Sequence, residues 1–384
     1  MKNLVLLVVA SLTFCSAAAQ RADMTMTVEG ELRSFIVVRP LGSAPAGGYP
    51  VVFMLHGTSG DGEKFWSISG WKEVGARENF ITVFPSSLEW QVKNDVGAGC
   101  HATTKWVNGD LSGAACEGQT FKNDILFIRR IVDTLKQLYS INARMVFATG
   151  FSNGGVMTSK MSTEMSDVFA AYAASAGPMH RLDSAQPAVV RPMWFTVGTL
   201  DDRFTTAMGV SELPFNDTAL AYFSSILGRH LGAHRLTNEY TVQETPVTRT
   251  YRYSTPQVGA PPTMFSFTLV KGLFHQYPNG QNFPVSSAEV FWEFFKASAA
   301  ATTVDDGVLP EVELRVYPNP ASDVVRVERA QSSDATYVQI VNIVGEVVRT
   351  ASIDGHSAIV DVKGLPQGAY IVRVGKQTRV MHIN

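Results

Sequence analysis

The sequence predicts an α/β unit, a mostly parallel sheet flanked by helices, followed by a small all-β sandwich. Three observations point there. From about Met24 to Ala300, short β-branched or aromatic runs alternate with longer helical patterns, as in a parallel sheet covered by helices. From Val312 onward the chain changes to short alternating strands broken by Pro318-Asn319-Pro320, Gly345, Asp354-Gly355 and Pro366-Gln367-Gly368. The 384 residues also exceed the ~100–200 that one core usually needs, so more than one unit is expected.

Residues 1–19 hold Lys2, an apolar run from Leu4 to Phe14 and Ala17-Ala18-Ala19, the pattern of a secretory signal peptide cut before Gln20 and taking Cys15 with it. A membrane anchor is the alternative, but the run is shorter than the ~20 residues a bilayer needs. Residues 20–300 form the α/β unit, with strands expected at Ser34–Arg39, Val51–Leu55, Phe80–Phe84, Met145–Thr149, Phe169–Ala173, Met193–Val197, Val247–Tyr253 and Met264–Val270. Between them, Ile125, Phe127, Ile128, Ile131, Val132, Leu135 and Leu138 recur at helical spacing over Asp124 to Tyr139. Ser286-Ser287-Ala288-Glu289 reads as a capping box opening a last helix that buries Val290, Phe291, Phe294 and Phe295. The small, polar and finally acidic stretch 301–307 suits a linker. Residues 308–384 then carry the sandwich, with strands expected at Leu314–Tyr317, Val324–Glu328, Tyr337–Ile343, Val347–Ile353, Ile359–Val362, Tyr370–Val374 and Thr378–Ile383.

Thirty-two basic against thirty-four acidic residues leave a net charge of −2, which lacks the basic excess of a nucleic-acid binder. With 45% apolar residues, disorder and fibrous architectures are excluded for the whole chain. Cys100 and Cys116 are an even pair in an exported chain, so a disulfide is expected, worth ~3 kcal/mol by loop closure. A metal site of Cys100, His101 and Cys116 is the alternative, without a second paired ligand motif to support it.

Gly150-Phe151-Ser152-Asn153-Gly154-Gly155 carries the chemistry, because it follows a strand and precedes a helical stretch, the setting of a nucleophile elbow. The glycines leave room for the tight turn that lifts Ser152 above the sheet. A serine hydroxyl needs a histidine to take its proton and a carboxylate to orient that histidine, in the chain order Ser, acid, His. Downstream, Met193–Val197 runs into Gly198-Thr199-Leu200-Asp201, and Met264–Val270 runs into Gly272-Leu273-Phe274-His275. Both ends fall on the rim where open α/β sheets place their sites. Upstream, Val51–Leu55 ends in His56-Gly57-Thr58, so the backbone N–H groups of Thr58 and Asn153 are expected to form an oxyanion hole. This chemistry requires no metal or organic cofactor. His56 rivals His275 as the base but precedes the serine; Asp202 rivals Asp201 but stands one residue further from Gly198-Thr199-Leu200. Ser175 lacks the leading glycine of an elbow, and His101, His180, His230 and His234 have neither a paired acid motif nor metal spacing. Trp66, Trp71, Trp90 and Trp106 lie between the oxyanion loop and the long helix, where they either fill the core or wall a cleft. Trp90, Trp106, Phe151 and Tyr277 are the expected substrate contacts.

The stretch from Ser34 to about Phe295 resembles the α/β-hydrolase branch of polyhydroxybutyrate-depolymerase-like esterases, feruloyl esterases and acetylxylan esterases of carbohydrate esterase family 1. The matching pieces are Leu55-His56-Gly57, Asn123-Asp124-Ile125 through Phe127-Ile128, Gly150 to Gly155, Asp167-Val168-Phe169-Ala170-Ala171, Gly198-Thr199-Leu200-Asp201 and Gly272 to Pro278. The resemblance implies a secreted serine carboxylester hydrolase with Ser152 as nucleophile, Asp201 as acid and His275 as base. Its substrates would be feruloyl or acetyl polysaccharide esters or polyhydroxyalkanoate-type esters. Val197, Phe274 and Tyr277 depart from the branch's usual residues, which bears on substrate choice. A serine peptidase on the same fold and a non-catalytic surface-binding protein are the alternative readings. In the tail, Val316 to Pro320, Gly345 and Leu365-Pro366-Gln367-Gly368-Ala369-Tyr370 resemble the C-terminal sorting domain of type IX secretion, which implies that machinery as a partner and a place outside the cell or on its surface. A carbohydrate-binding module would need aromatic platforms, and residues 308–384 offer Tyr317, Tyr337 and Tyr370 without Trp or Phe.

Overall fold

A computed structural model describes residues 19–93, 99–305, 314–329, 337–342, 346–353, 357–375 and 377–383. Apart from Ala19, the expected signal peptide lies outside the described residues, as do positions 306 and 307 of the expected linker. The chain divides into two compact units between Thr302 and Thr303.

In the first unit the elements run β1 (Gln20–Val28), β2 (Glu31–Arg39), β3 (Tyr49–Leu55), α1 (Gly62–Ile68), α2 (Trp71–Glu78), β4 (Ile81–Pro85), β5 (Glu89–Lys93), β6 (Cys100–Thr104), α3 (Gly109–Ala114) and α4 (Asp124–Leu138). They continue with β7 (Ile141–Phe151), α5 (Asn153–Glu164), β8 (Ala171–Ser175), β9 (Met193–Gly198), α6 (Asp202–Met208), α7 (Ala219–Tyr222) and α8 (Ser224–His234). The unit closes with β10 (Tyr240–Glu244), β11 (Thr248–Tyr253), β12 (Phe265–Val270) and α9 (Ser287–Asp305). Ten strands form one sheet in the order β1-β2-β4-β3-β7-β8-β9-β12-β11-β10. The central run from β4 to β12 is parallel, and antiparallel strands close both edges. This is an α/β-hydrolase sheet.

Both faces of the sheet are covered, so central strands β3, β4, β8 and β12 are buried on every residue rather than on alternate ones. On β3, Val51, Phe53 and Leu55 enter the core shared with α4, α5 and α8, while Val52 and Met54 enter the one shared with α1, α2 and α9. Helix α4 starts at Asn123, whose side chain accepts from the N–H of Leu126 (3.0 Å), and buries Phe127, Ile128, Ile131, Val132 and Leu135 as its periodicity predicts. Its first residue, Asp124, meets Arg33 of β2 at 2.6 Å, both side chains being about 1% exposed. The Arg33 guanidinium also lies over the Phe127 ring, 4.0 Å from its centroid.

The structure adds β1, β10 and the β5–β6 hairpin to the expected strands, and it extends the last helix. Helix α9 runs to Asp305, into the stretch expected to be linker, because Ala297 to Ala301 favour helix whether or not a core lies beneath them.

The second unit holds β13 (Leu314–Tyr317), β14 (Val324–Arg329), β15 (Tyr337–Val341), β16 (Val347–Ser352), β17 (Ser357–Asp361), β18 (Gly368–Val374) and β19 (Gln377–Ile383). The sheets β13-β14-β17 and β16-β15-β18-β19 share one core of Leu314, Val325, Val327, Val338, Ile340, Val360, Val372 and Met381. That is the expected sandwich. Among the described residues no helix is long and apolar enough to cross a membrane.

Two predictions follow from the packing of the first unit. Arg33→Met strands the Asp124 carboxylate in the core and is expected to lower the unfolding free energy by about 3–5 kcal/mol in urea titration. A loss under about 1 kcal/mol would mean that the pair is dispensable. The second concerns His230 and His234, which are buried among Phe195 and Phe265. Burial lowers His234 to about 4 and holds His230 well below its ordinary value. Between about pH 6.5 and 4 the unfolded chain therefore binds protons that the folded chain does not. The stabilisation from these rings is complete above about pH 6.5 and lost as pH falls toward 4. Urea midpoints at pH 7.5 and 5 should show the loss, and His234→Gln should reduce it; a midpoint independent of pH would contradict the assignment.

Candidate active site

Strand β7 ends and α5 begins at Ser152, whose φ of 53° and ψ of −122° put a non-glycine residue in a strained turn. Its N–H donates to the carbonyl of Ser175 (2.8 Å), tying the turn to the end of β8. A Cβ at Gly150 would fall on the carbonyl of Gly154, and one at Gly154 would fall on the carbonyls of Leu55 and His56. The elbow glycines are thus required by backbone approaching backbone, as the spacing predicts.

Two more strand ends deliver the partners. Asp201 follows β9 and caps α6, its carboxylate accepting from the N–H of Arg203 (3.1 Å). His275 follows β12. Its Nδ1 lies 2.9 Å from each carboxylate oxygen of Asp201, and its Nε2 lies 2.9 Å from Ser152 Oγ. The Asp201 side chain is 1% exposed and that of His275 19%, so the carboxylate is dry and the imidazole edge reaches the opening. Asp202 is exposed. Ligand atoms of Asp201, Asp202 and His275 lie within 4.8 Å of one another, close enough to hold a cation. Both ring nitrogens of His275 are already engaged, however, and the group stands as a chain of hydrogen bonds.

The loop after β3 lies against Ser152, since a Cβ at Gly57 would come 3.2 Å from the Cβ of Ser152. Among the described residues neither the N–H of Thr58 nor that of Asn153 has an acceptor. Buried His56 accepts from the N–H of Ser87 at Nε2 (2.9 Å) and holds the carbonyl of Gly57 at Nδ1 (2.7 Å). Burial lowers it to about 4, so it is a neutral brace for the loop.

Cys100 and Cys116 are joined by a disulfide. The expected substrate contacts divide. Phe151 is half-buried, its ring centroid 5.0 Å from that of His275. The other three are buried. Trp106 is fully buried, with Nε1 donating to the carbonyl of His56 (2.9 Å). Trp90 is 8% exposed, donates to the carbonyl of Lys105 and packs on Phe121. Tyr277 is 4% exposed, and its hydroxyl accepts from Trp71 Nε1 (2.9 Å).

Sequence reasoning missed two features. Phe274, beside His275, is 60% exposed and puts an apolar ring at the rim. The side chains of Asn108 and Asn153 form a buried amide pair at the start of α3 and α5. The one signal for Asn108 was its suitability as a cap ahead of Gly109-Asp110-Leu111.

Comparison with known proteins places these features in context. Residues 315–383 match the secretion system C-terminal sorting domain. The chain is 27% identical over 175 residues to the bifunctional acetylxylan esterase/xylanase XynS20E of Neocallimastix patriciarum, covering 45% of this chain and 22% of that protein. It is 31% identical over 128 residues to poly(3-hydroxyalkanoate) depolymerase C of Paucimonas lemoignei, covering 33% of this chain and 28% of that one. The chain thus spans less than a third of the length of either relative. The solved acetyl xylan esterase from Aspergillus awamori is 14% identical with a TM-score of 0.47, over 72% of this chain and 99% of its own. The chain therefore joins an α/β-hydrolase unit, similar in sequence to acetylxylan esterase and polyhydroxyalkanoate depolymerase, to a C-terminal segment matching the secretion sorting domain.

Proposed function

We propose that residues 20–300 form a serine carboxylester hydrolase working through an acyl-enzyme. The observation that carries this reading is the unbroken chain from Ser152 Oγ through His275 to buried Asp201, with 2.9 Å at each link. Asp201 fixes the tautomer with the proton on Nδ1, which leaves the Nε2 lone pair toward the serine hydroxyl. Ser152 Oγ attacks the ester carbonyl as His275 takes its proton, and the N–H groups of Thr58 and Asn153 receive the developing oxyanion. His275 then returns the proton to the leaving alcohol, and water repeats the sequence to free the acid. A non-catalytic surface binder would have no need of a dry carboxylate or a strained serine, both of which carry a folding cost.

The names of the sequence relatives support acetyl polysaccharide esters or polyhydroxyalkanoate-type esters as the substrate class, and feruloyl polysaccharide esters rest on the sequence resemblance alone. Phe274 at the rim and Phe151 beside the imidazole give such an acyl or alkyl group an apolar surface. The match over residues 315–383 supports the type IX secretion machinery as a partner and delivery outside the cell or onto its surface.

The test compares the unmutated protein with Ser152→Ala on a short aryl acetate, methyl ferulate and a polyhydroxybutyrate film. Ester turnover that falls at least ~10³-fold in the variant is expected, and the ratio among the three assigns the substrate class. An unmutated protein inert on all three would remove the esterase reading. Deleting residues 308–384 is expected to retain the activity inside the cell envelope; undiminished activity in the medium would dissociate the tail from export.

A further inference from the structure

The loop closed by Cys100–Cys116 grips both oxyanion loops. On the side of the β3 loop, the N–H of Ser59 donates to the carbonyl of Thr104 (3.0 Å), and Thr104 Oγ1 donates to the carbonyl of Gly60 (2.6 Å). Trp106 Nε1 donates to the carbonyl of His56 (2.9 Å). On the side of the elbow, Asn153 Oδ1 accepts from the N–H of Trp106 (2.7 Å), and its carbonyl accepts from Asn108 Nδ2 (3.0 Å). Asn153 Nδ2 donates to Asp110 Oδ2 (2.9 Å), a carboxylate also paired with Lys105 (3.0 Å).

These bonds avoid the donors themselves. The peptide bearing the Thr58 N–H lies between two pinned peptides, one held through the carbonyl of His56 and one through the N–H of Ser59. The peptide bearing the Asn153 N–H lies between the N–H of Ser152, held by Ser175, and the carbonyl of Asn153, held by Asn108. Each donor is therefore fixed in direction while its hydrogen stays available. The disulfide closes the segment that does the fixing, and the N–H of Val107 donates to Asp124 Oδ2 (2.7 Å), anchoring it to the buried Arg33–Asp124 pair.

We infer that this disulfide-closed loop is a strap that sets the spacing of the two oxyanion donors, with Asn108 as its positioning residue. The inference rests on the esterase reading above. Asn108 is suited to the task because its Oδ1 caps α3, accepting from the N–H groups of Asp110 (3.1 Å) and Leu111 (3.2 Å), while its Nδ2 holds Asn153. A serine at this position keeps a cap acceptor and deletes the grip.

The full chain, Asn108→Ser and the double variant Cys100→Ser/Cys116→Ser are compared on a short aryl acetate. Three readouts are taken: kcat and KM, inhibition by phenylboronic acid, which forms a tetrahedral adduct on Ser152, and the thermal midpoint. A displaced donor should cost less than the 10²–10³ of a deleted one, so Asn108→Ser is expected to lower kcat about tenfold with KM within about twofold. Boronate binding should weaken by a similar factor, which a merely structural role would not produce. The double variant is expected to move kcat and boronate binding the same way by about threefold, and it carries the test should Asn108→Ser not fold. Unchanged kcat, or unchanged boronate affinity beside a lowered midpoint, in an otherwise active protein overturns the strap alone. An unmutated protein inert toward every ester removes the strap together with the reading beneath it.

Discussion

The site depends on backbone packed directly against backbone at the elbow. Gly150, Gly154 and Gly177 each occupy a place where a Cβ would land on a main-chain atom of a neighbouring segment. That proximity brings the start of α5 against the end of β3, and so sets the Asn153 amide beside the Thr58 loop. It also forces Ser152 into its left-handed turn, which a strand-to-helix junction with side chains at those positions could not hold. The remaining geometry follows from parallel pairing. Strands β7, β9 and β12 run the same way, so the residues just past their ends arrive on one rim from positions 123 and 74 residues apart in the chain.

The buried carboxylate is the costliest part of this arrangement, and its local setting offsets the cost. Asp201 receives the His275 N–H and the N–H of Arg203 as a helix cap, so its oxygens are satisfied by hydrogen-bond donors. A permanent cation there would compete for the charge that steadies a protonated imidazole. By contrast, the Arg33–Asp124 pair brings opposite full charges together deep in the fold, where only rigidity is required.

The proposed triad was legible because its chemistry coincides with local grammar. Ser152 announces itself through flanking glycines, and Asp201 and His275 through apolar runs that stop just before them. Choosing Asp201 over Asp202 is also a local matter, since the first residue past the turn caps the helix and the second is exposed. The strap was illegible for the opposite reason. Asn108 and Thr104 act through side-chain bonds to residues 44 and 45 positions away, which no periodicity records. Strands β5, β6 and β10 are short and largely polar, so their pairing, rather than their composition, makes them strands. The tryptophans lay between: burial of Trp90 and Trp106 was foreseeable from their type, whereas which side of the site they support was fixed by distant partners.

His56 and the proposed base His275 share a hydrogen-bond geometry but differ in what it allows. Each ring has Nδ1 against an oxygen that can only accept, the Gly57 carbonyl for His56 and the Asp201 carboxylate for His275, so each carries its proton there. Each then offers an Nε2 lone pair 2.9 Å from a donor. The outcomes part at that donor. His56 faces the N–H of Ser87, an amide that cannot surrender its proton, and full burial keeps its imidazole neutral. His275 faces a hydroxyl whose proton becomes acidic once its oxygen bonds to carbon, beside a carboxylate that stabilises the resulting imidazolium. Only the second ring can take up a proton without losing a hydrogen bond that holds the fold, and for that reason the proposed base is the ring after β12 and not the one after β3.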